Sequence, residues 1–595
     1  MSAPSIAIRH RRPFGASLLH VPQTLRALVR ADEVWLVMLA AVVGGLAGVC
    51  VAVMNVTTGF LHASLFALPA GTKLSEAPAL LPIRAFLVPT LGGVVLGAIA
   101  YLLTRYYPHR VIDPVEANAL FGGRLGLKDS LVVTGQTVLS NGVGGSVGLE
   151  AGYAQIGAAV ASRLGRGFRL RRNDLRVILG CGAAAAIAGA FNAPLSGSFY
   201  GIELIIGTYS LATLPPVIIA SLCGVFMVRA LIGGTPRLHV VLPHTIHGLD
   251  YVPLLAVGVV AGLVGIAIMR GVTLTEDLFR RSGAPVWMRP VFGGMIVGTL
   301  ALLTPKVLSS GHSALHATIG IAAPGLAVAT VLLLKSIASA VSIGSGFRGG
   351  LFFASLFLGS LVGKVFAAMV AVVTVLPQMP QGLYAVVGMS ALATAIVGGP
   401  MTMTFLALES TGDFSVAPVV LGAAILSALT VRRIFGYSFT TWRFHLRGEV
   451  IRSAVDIGWI HNLSVGRMMR RDVRTIRTDM DLERFRREFP LGATQRVVVL
   501  DHRGAYAGIL YPAEAHAAEQ AAQRVGEILH HQDHMLTESM SVKEAIAAFE
   551  QAECDALAVV DSPERRQVRG LLTEQFALRR YTEELDRRRR ELSGE

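Results

Sequence analysis

Gly148-Leu149-Glu150-Ala151-Gly152 lies inside an apolar, glycine-rich stretch that runs from Leu131 to Ala161. Glu150 is the one residue of that stretch charged at neutral pH. A carboxylate at membrane depth costs at least ~2.5 kcal/mol unless it is neutral, paired or facing water. The flanking glycines leave the neighbouring backbone N–H groups open to something small. A helix starting here would aim unpaired N–H groups and its positive dipole end at the same point. An anion and the carboxylate would then compete for one electropositive spot. The plainer alternative is a tight helix-packing site with an incidental glutamate. Isolated intramembrane carboxylates are usually functional, which favours the first reading.

The surrounding chain supports a membrane setting. Of 595 residues, 53% are hydrophobic and 15% charged, and the mean hydropathy is +0.57. That composition describes a polytopic α-helical membrane protein and excludes an ordinary soluble enzyme. The net charge of +14 points first to basic cytoplasmic loops, and nucleic acid is not an expected partner. Cys50, Cys181, Cys223 and Cys554 are scattered, which argues against a disulfide framework and a metal site. No HExxH, GxSxG or intramembrane aspartate pair supports an enzyme.

Arg9, Arg11, Arg12, Arg26 and Arg30 precede the first apolar run without a cleavage-site pattern, so the N-terminus is expected in the cytoplasm. Spans are expected at about Val34–Val56 and Ala85–Leu103. Beyond them, Ala151–Ala161, Ala193–Ile206 and Ala385–Val397 are short and bounded by Gly or Pro. Such pieces suggest half-helices that meet at mid-membrane. Arg163, Arg166, Arg169, Arg171, Arg172 and Arg176 form one expected cytoplasmic loop, and Arg270, Arg280, Arg281 and Arg289 another.

An internal repeat is present. Gly182, Ala185, Pro194, Ser196, Phe199 and Glu203 correspond to Gly388, Ala391, Pro400, Thr402, Phe405 and Glu409 at an offset of 206. Gly148-Leu149 and Gly157 correspond to Gly350-Leu351 and Gly359 at an offset of 202, which sets Glu150 against Phe352. Substrate sites in such transporters lie where the halves meet. The repeat alone leaves parallel and inverted arrangements open.

Gly182-Ala-Ala-Ala-Ala-Ile-Ala-Gly-Ala-Phe-Asn-Ala-Pro-Leu-Ser-Gly197 resembles a signature of the ClC chloride channel/antiporter family. Gly148–Gly152 resembles that family's Gly-Arg-Glu-Gly-Pro, and Gly350-Leu351-Phe352-Phe353-Ala354 its Gly-x-Phe-x-Pro. The resemblance covers roughly Val34 to Phe444. It implies an inverted-repeat fold with broken helices, a homodimer in membrane lipid, and one chloride or small-anion pathway per subunit. Glu150 would be the gate. Val111, Leu149, Ala151, Gly152, Leu351, Phe352 and either Phe439 or Thr440, with Thr440 preferred, would stand at the anion site.

The departures matter. Where the family has Gly-Ser-Gly-Ile-Pro, this chain reads Arg110-Val111-Ile112-Asp113-Pro114, so the serine position is Val111. Asp113 and Glu116 read as a polar rim. Of the family's paired glutamates only Glu203 remains, and Leu204 takes the proton-transfer position. Leucine carries no proton. Glu203 and its equivalent Glu409 read as structural, capping or pairing at helix ends. The expectation is a channel that passes anions passively. Proton-coupled antiport and a nucleotide-sensing membrane regulator without transport are the alternatives.

After Trp442 charge density rises. Val465-Gly466 recurs as Val525-Gly526 and Val499-Leu500-Asp501 as Val559-Val560-Asp561, both 60 apart, and Gly508 recurs as Gly570. Each unit reads as strand, helix, strand, turn, strand, helix, and resembles a tandem pair of CBS domains. The expected organisation is an N-terminal segment 1–33, a membrane domain 34–442, a linker 443–464, two α/β domains 465–522 and 523–582, and a basic tail 583–595. Thr573 stands at a position that binds adenine nucleotide in that family, but Phe576 replaces the expected Asp and Tyr511 occupies the first repeat's position. A structural or dimerising pair without cofactor is therefore at least as well supported. The protein is expected as a multi-pass protein of a bacterial inner (plasma) membrane with both termini cytoplasmic.

Overall fold

The computed structural model describes residues 33–69, 72–106, 111–234, 246, 248–372, 379–439, 441–442, 464–517 and 523–593. The N-terminal arginines, Arg110, Thr440 and positions 443–463 of the expected linker lie outside the described residues. The chain divides into two compact units, 1–455 and 456–595.

The first unit is helical: α1 Glu33–Phe66, α2 Pro82–Tyr106, α3 Pro114–Ala119, α4 Leu127–Gly142, α5 Glu150–Gly167, α6 Arg172–Phe191, α7 Pro194–Tyr200, α8 Leu214–Ile232, α9 Tyr251–Arg281, α10 Arg289–Leu303, α11 His312–Thr318, α12 Gly325–Ser345, α13 Phe352–Val370, α14 Gln381–Val397, α15 Pro400–Thr411 and α16 Ala417–Ile434. Eight helices among the described residues are long and apolar enough to cross a membrane. Prolines sit in the first turn of α3, α7 and α15, where a missing N–H costs nothing. α6 ends on Asn192 and α14 on Gly398, both left-handed. These positions are 206 apart, and Asn and Gly are the two residues that tolerate this cap best.

Several boundaries differ from the sequence reading. α1 runs on to Phe66 because nothing between Val56 and Pro69 breaks it. Its 34 residues span ~51 Å, well beyond the ~30 Å hydrocarbon core. The piece Ala151–Ala161 is part of the 18-residue α5, whose last turn is polar and basic. Arg270 is not in a loop. No Gly-Pro break precedes Arg281, so α9 carries Arg270 internally, where its guanidinium lies 5.8 Å from the Phe435 ring centroid.

The repeat becomes geometry at the centre of the unit. Gly148 and Gly350 form an antiparallel bridge, bonded N to O both ways at 2.8 and 3.1 Å. Phe199 stacks on Phe405 at 4.4 Å, and the Ser196 hydroxyl donates to Thr402 O at 3.0 Å. Each of these residues touches its own equivalent, which requires a two-fold axis close by. Ser146 N donates to Ser342 Oγ and Arg348 N to Ser140 Oγ, both at 3.0 Å, the same contact made twice with the halves exchanged. The antiparallel bridge reverses chain direction across this axis. Close helix crossings repeat as well. A Cβ added to Gly157 or Gly182 would stand 2.3 or 2.2 Å from the other's carbonyl oxygen, and one on Gly359 or Gly388 2.4 Å from its partner's. Small residues at membrane helix crossings let backbones approach in this way.

The second unit is α/β: α17 Val465–Met468, β1 Thr475–Arg477, α18 Leu482–Glu488, β2 Val497–Leu500, β3 Tyr506–Leu510, α19 Pro512–Ala517, β4 Leu536–Thr537, α20 Val542–Ala552, β5 Ala556–Val560, β6 Val568–Thr573 and α21 Glu574–Ser593. Its sheets run β1-β2-β3 and β4-β5-β6, each with one parallel and one antiparallel pair. Register shifts fall at Val499/Leu500 and at Val559/Val560, 60 residues apart. Ser464 bridges Ser541 while Asp481 bridges Arg524, again one contact made twice with partners exchanged. The lead-in of each repeat is therefore held by the other repeat.

Candidate functional site

Glu150 is the first residue of α5 and is 3% exposed. Its Oε1 accepts from Phe353 N at 2.7 Å, in the first turn of α13. Its Oε2 is buried without a hydrogen-bond partner. The carboxylate thus lies against two helix N-termini, its own and that of the inverted half. Both dipoles favour negative charge at this point. Gly148 and Gly350 make room for it: a Cβ on Gly148 would come within 1.9 Å of Oε2, and one on Gly350 within 3.3 Å.

The other predicted residues distribute unevenly. Leu149 and Leu351 are the buried N-cap residues of α5 and α13, and Ala151 follows Glu150. The Phe352 ring lies 4.8 Å from that of Phe191 and 6.0 Å from that of Tyr200. Gly152 is turned away from the carboxylate. A Cβ there would meet Met54 Cε at 2.9 Å and Thr137 Cβ at 3.2 Å, so this glycine permits close packing on α1 and α4. Val111 is half-buried just before α3, and the next residue, Ile112, accepts from Gln155 Nε2 of α5 at 2.9 Å. Asp113 is not a loose rim residue: its carboxylate caps α3 by accepting from Val115 N at 2.8 Å. Phe439 is 8% exposed and shares the apolar core that contains Phe352.

Three residues to which the sequence reading gave no role belong to the site. Phe353 supplies the N–H that holds Glu150. Phe191 stacks on Phe353 at 4.2 Å. Tyr200, at the end of α7, lies within electrostatic reach of both Glu150 and Asp113. Its hydroxyl shares the run Ala193–Ile206 with Ser196, Ser198 and Glu203, so composition did not single it out.

Glu203 and Glu409 do something else. Glu203 Oε2 accepts from Thr402 N at 3.0 Å and Thr402 Oγ1 at 2.8 Å, and its Oε1 from Met401 N at 3.3 Å. Glu409 accepts from Leu195 N at 2.9 Å and Ser196 N at 2.8 Å. Each glutamate caps the short helix of the opposite half. Leu204 is half-buried in the single π-turn Gly201–Ile206 beside Glu203.

In the second unit Thr573 ends β6, paired with Ala556. Phe576 is 44% exposed. Tyr511 lies 3.2 Å by its hydroxyl from His531 Nε2. Among the described residues no group of His, Cys, Asp and Glu has the arrangement of a metal site.

Residues 96–432 match the family described as voltage gated chloride channel. The ClC-type chloride channel ClcB of Citrobacter koseri is 31% identical over 409 residues, 67% of this chain and 96% of that protein. A slow cyanobacterial Cl−/H+ antiporter has a similar fold, with TM-score 0.60 and 22% identity over 69% of this chain and 97% of its own. A eukaryotic CLC transporter has TM-score 0.58 and 16% identity over 93% of this chain and 98% of its own.

Proposed function

The chain belongs to the voltage gated chloride channel family, a family of multi-pass membrane proteins, and from that premise we propose that it moves chloride or another small monovalent anion passively along a pathway gated by Glu150. The observation that carries the reading is the Glu150 carboxylate on Phe353 N. A carboxylate held by helix-terminal N–H groups occupies the place an anion would take. When it is protonated or displaced, the same N–H groups are free to receive the anion. Leu149, Ala151, Leu351 and Phe352 shape this point, and Val111 and Phe439 would line the pathway without offering a hydroxyl.

Uncoupled movement is favoured by the fate of Glu203. Its carboxylate is committed to Met401 and Thr402, and Leu204 beside it cannot take a proton. A second reading, proton-coupled exchange, draws on Tyr200, whose hydroxyl feels the charges of both Asp113 and Glu150. In that reading the hydroxyl, bridged by water, would relay protons from Asp113 to the gate and bypass Leu204. The slow cyanobacterial antiporter of similar fold points the same way.

The C-terminal unit is proposed as a CBS pair (465–522 and 523–582) that stabilises or modulates without conducting, in a homodimer with both termini on the cytoplasmic side of a bacterial inner membrane. Tyr511 and Phe576 at the key positions favour a structural role over nucleotide sensing.

The test is chloride efflux from liposomes holding purified protein. Glu150→Gln removes charge at nearly constant shape. Flux is expected to rise or to lose its pH dependence. Unchanged flux with an unchanged pH response removes Glu150 from the gate.

A further inference from the structure

We propose that Lys73, His312 and His316 form an outer anion-binding site that takes up a small monovalent inorganic anion one side chain away from the gate; the proposal rests on anion transport being the function. The His312 ring stands edge-on between two rings, 4.6 Å from His316 on its own helix and 4.5 Å from Phe353 on α13. Phe353 is the residue whose N–H holds Glu150. His312 Nδ1 is buried and has no hydrogen-bond partner. A buried ring nitrogen left unpaired carries a desolvation cost of about 1–3 kcal/mol. It is therefore a group whose partner must be a water or an ion.

The charge around it has the sign an anion needs. Lys73 is exposed at the N-cap of the 3-10 turn Leu74–Glu76 and acts electrostatically on both histidines. That turn is fixed to α11 by Ala314 N donating to Ser75 Oγ at 3.2 Å. Lys306, in the turn Pro305–Val307 that packs against the turn Leu74–Glu76, adds a second cation to this side. Lys364 of α13 belongs to the frame, since its ammonium donates to the Thr318 and Ile321 carbonyls at the end of α11. The one acidic side chain on the 3-10 turn, Glu76, is exposed. Lys73 and Lys306 concentrate anions locally, and the unpaired ring N–H of a neutral His312 holds one by a directed bond. Phe353 then passes the bound anion's influence to the gate by direct contact.

The experiment uses the full chain in liposomes and measures chloride flux against chloride concentration. For Lys73→Met the half-saturating concentration is expected to rise about threefold, and for His312→Gln about tenfold, each by more than the maximal rate falls. Unchanged half-saturation in folded Lys73→Met and His312→Gln overturns the site. Since His312 packs inside the protein, Lys73→Met on the exposed turn carries the test if His312→Gln does not fold. Bromide-soaked crystals separate this idea from the function. An anomalous peak against His312 Nδ1 in protein that carries no chloride keeps the site and defeats the transport reading. Chloride flux with no such peak defeats the site alone.

Discussion

Two glutamates in one fold take opposite roles because of what surrounds them. Glu150 has one oxygen on an N–H and one buried oxygen with nothing, so its hold is incomplete and can be exchanged for an anion. Glu409 has an N–H on each oxygen, from adjacent residues of one helix end. Two charge-assisted bonds at a helix N-terminus make a cap. Glu409→Gln keeps one acceptor and loses the other along with the charge. The membrane unit is expected to lose about 1–3 kcal/mol of stability, read as a lower midpoint in thermal denaturation of detergent-solubilised protein. Flux per folded molecule is expected to stay within about twofold, since the Glu409 carboxylate bonds to Leu195 and Ser196 and not to Glu150 or Phe353. An unchanged midpoint would remove the capping role. The structural character of Glu409 and Glu203 was legible in the sequence because two halves cannot both hold one proton-transfer site. Their exchange of helices was not legible, since it depends on where the two-fold axis passes.

Helices meet through glycine, and the repeat makes the reason visible. Gly157 and Gly182 cross so closely that each approaches the other's carbonyl, and Gly359 and Gly388 do the same in the second half. A side chain at Gly182 has a backbone in its way, and a backbone cannot rotate aside. Gly182→Val is expected to separate α5 from α6 and destabilise the unit by more than about 3 kcal/mol, read as loss of the monodisperse peak in size-exclusion chromatography. Gly135, on α4, has nothing within 4 Å of an added Cβ. Gly135→Ala is expected to fold normally and gain about 1 kcal/mol from helix propensity. Equal behaviour of the two variants would refute the crossing argument. The matched glycines, prolines and glutamates carried the two-half architecture in the sequence, because each marks a backbone position with one tolerable residue. Helix lengths were read less well. α1 outruns its apolar run because hydropathy reports burial in lipid, while helix ends follow proline and glycine. The Tyr200 and His312 contacts are long-range, and no local pattern announces them.

The coupling of anion to proton belongs to the whole molecule, because it asks whether two routes joined at Glu150 run together. Exchange requires a second proton acceptor besides the gate. Leu204 cannot serve, and Glu203 is bound to α15. Besides Glu150, Tyr200 feels the charge of Asp113, which already accepts from Val115 N at 2.8 Å. To protonate there, Asp113 must give up part of its charge-assisted cap on α3, at a cost of about 1–2 kcal/mol. That cost disfavours rapid proton uptake, and passive movement is the expected behaviour. Reconstituted protein in a chloride gradient should reverse at the anion equilibrium potential, and a superimposed pH gradient should leave that potential in place. A steady shift with the pH step would show coupling. Tyr200→Phe then identifies the route. If the relay runs from Asp113 through the Tyr200 hydroxyl, the variant loses the shift while chloride still flows. If the shift survives in Tyr200→Phe, protons reach Glu150 by water past Leu204, and the relay is wrong even though the exchange is real.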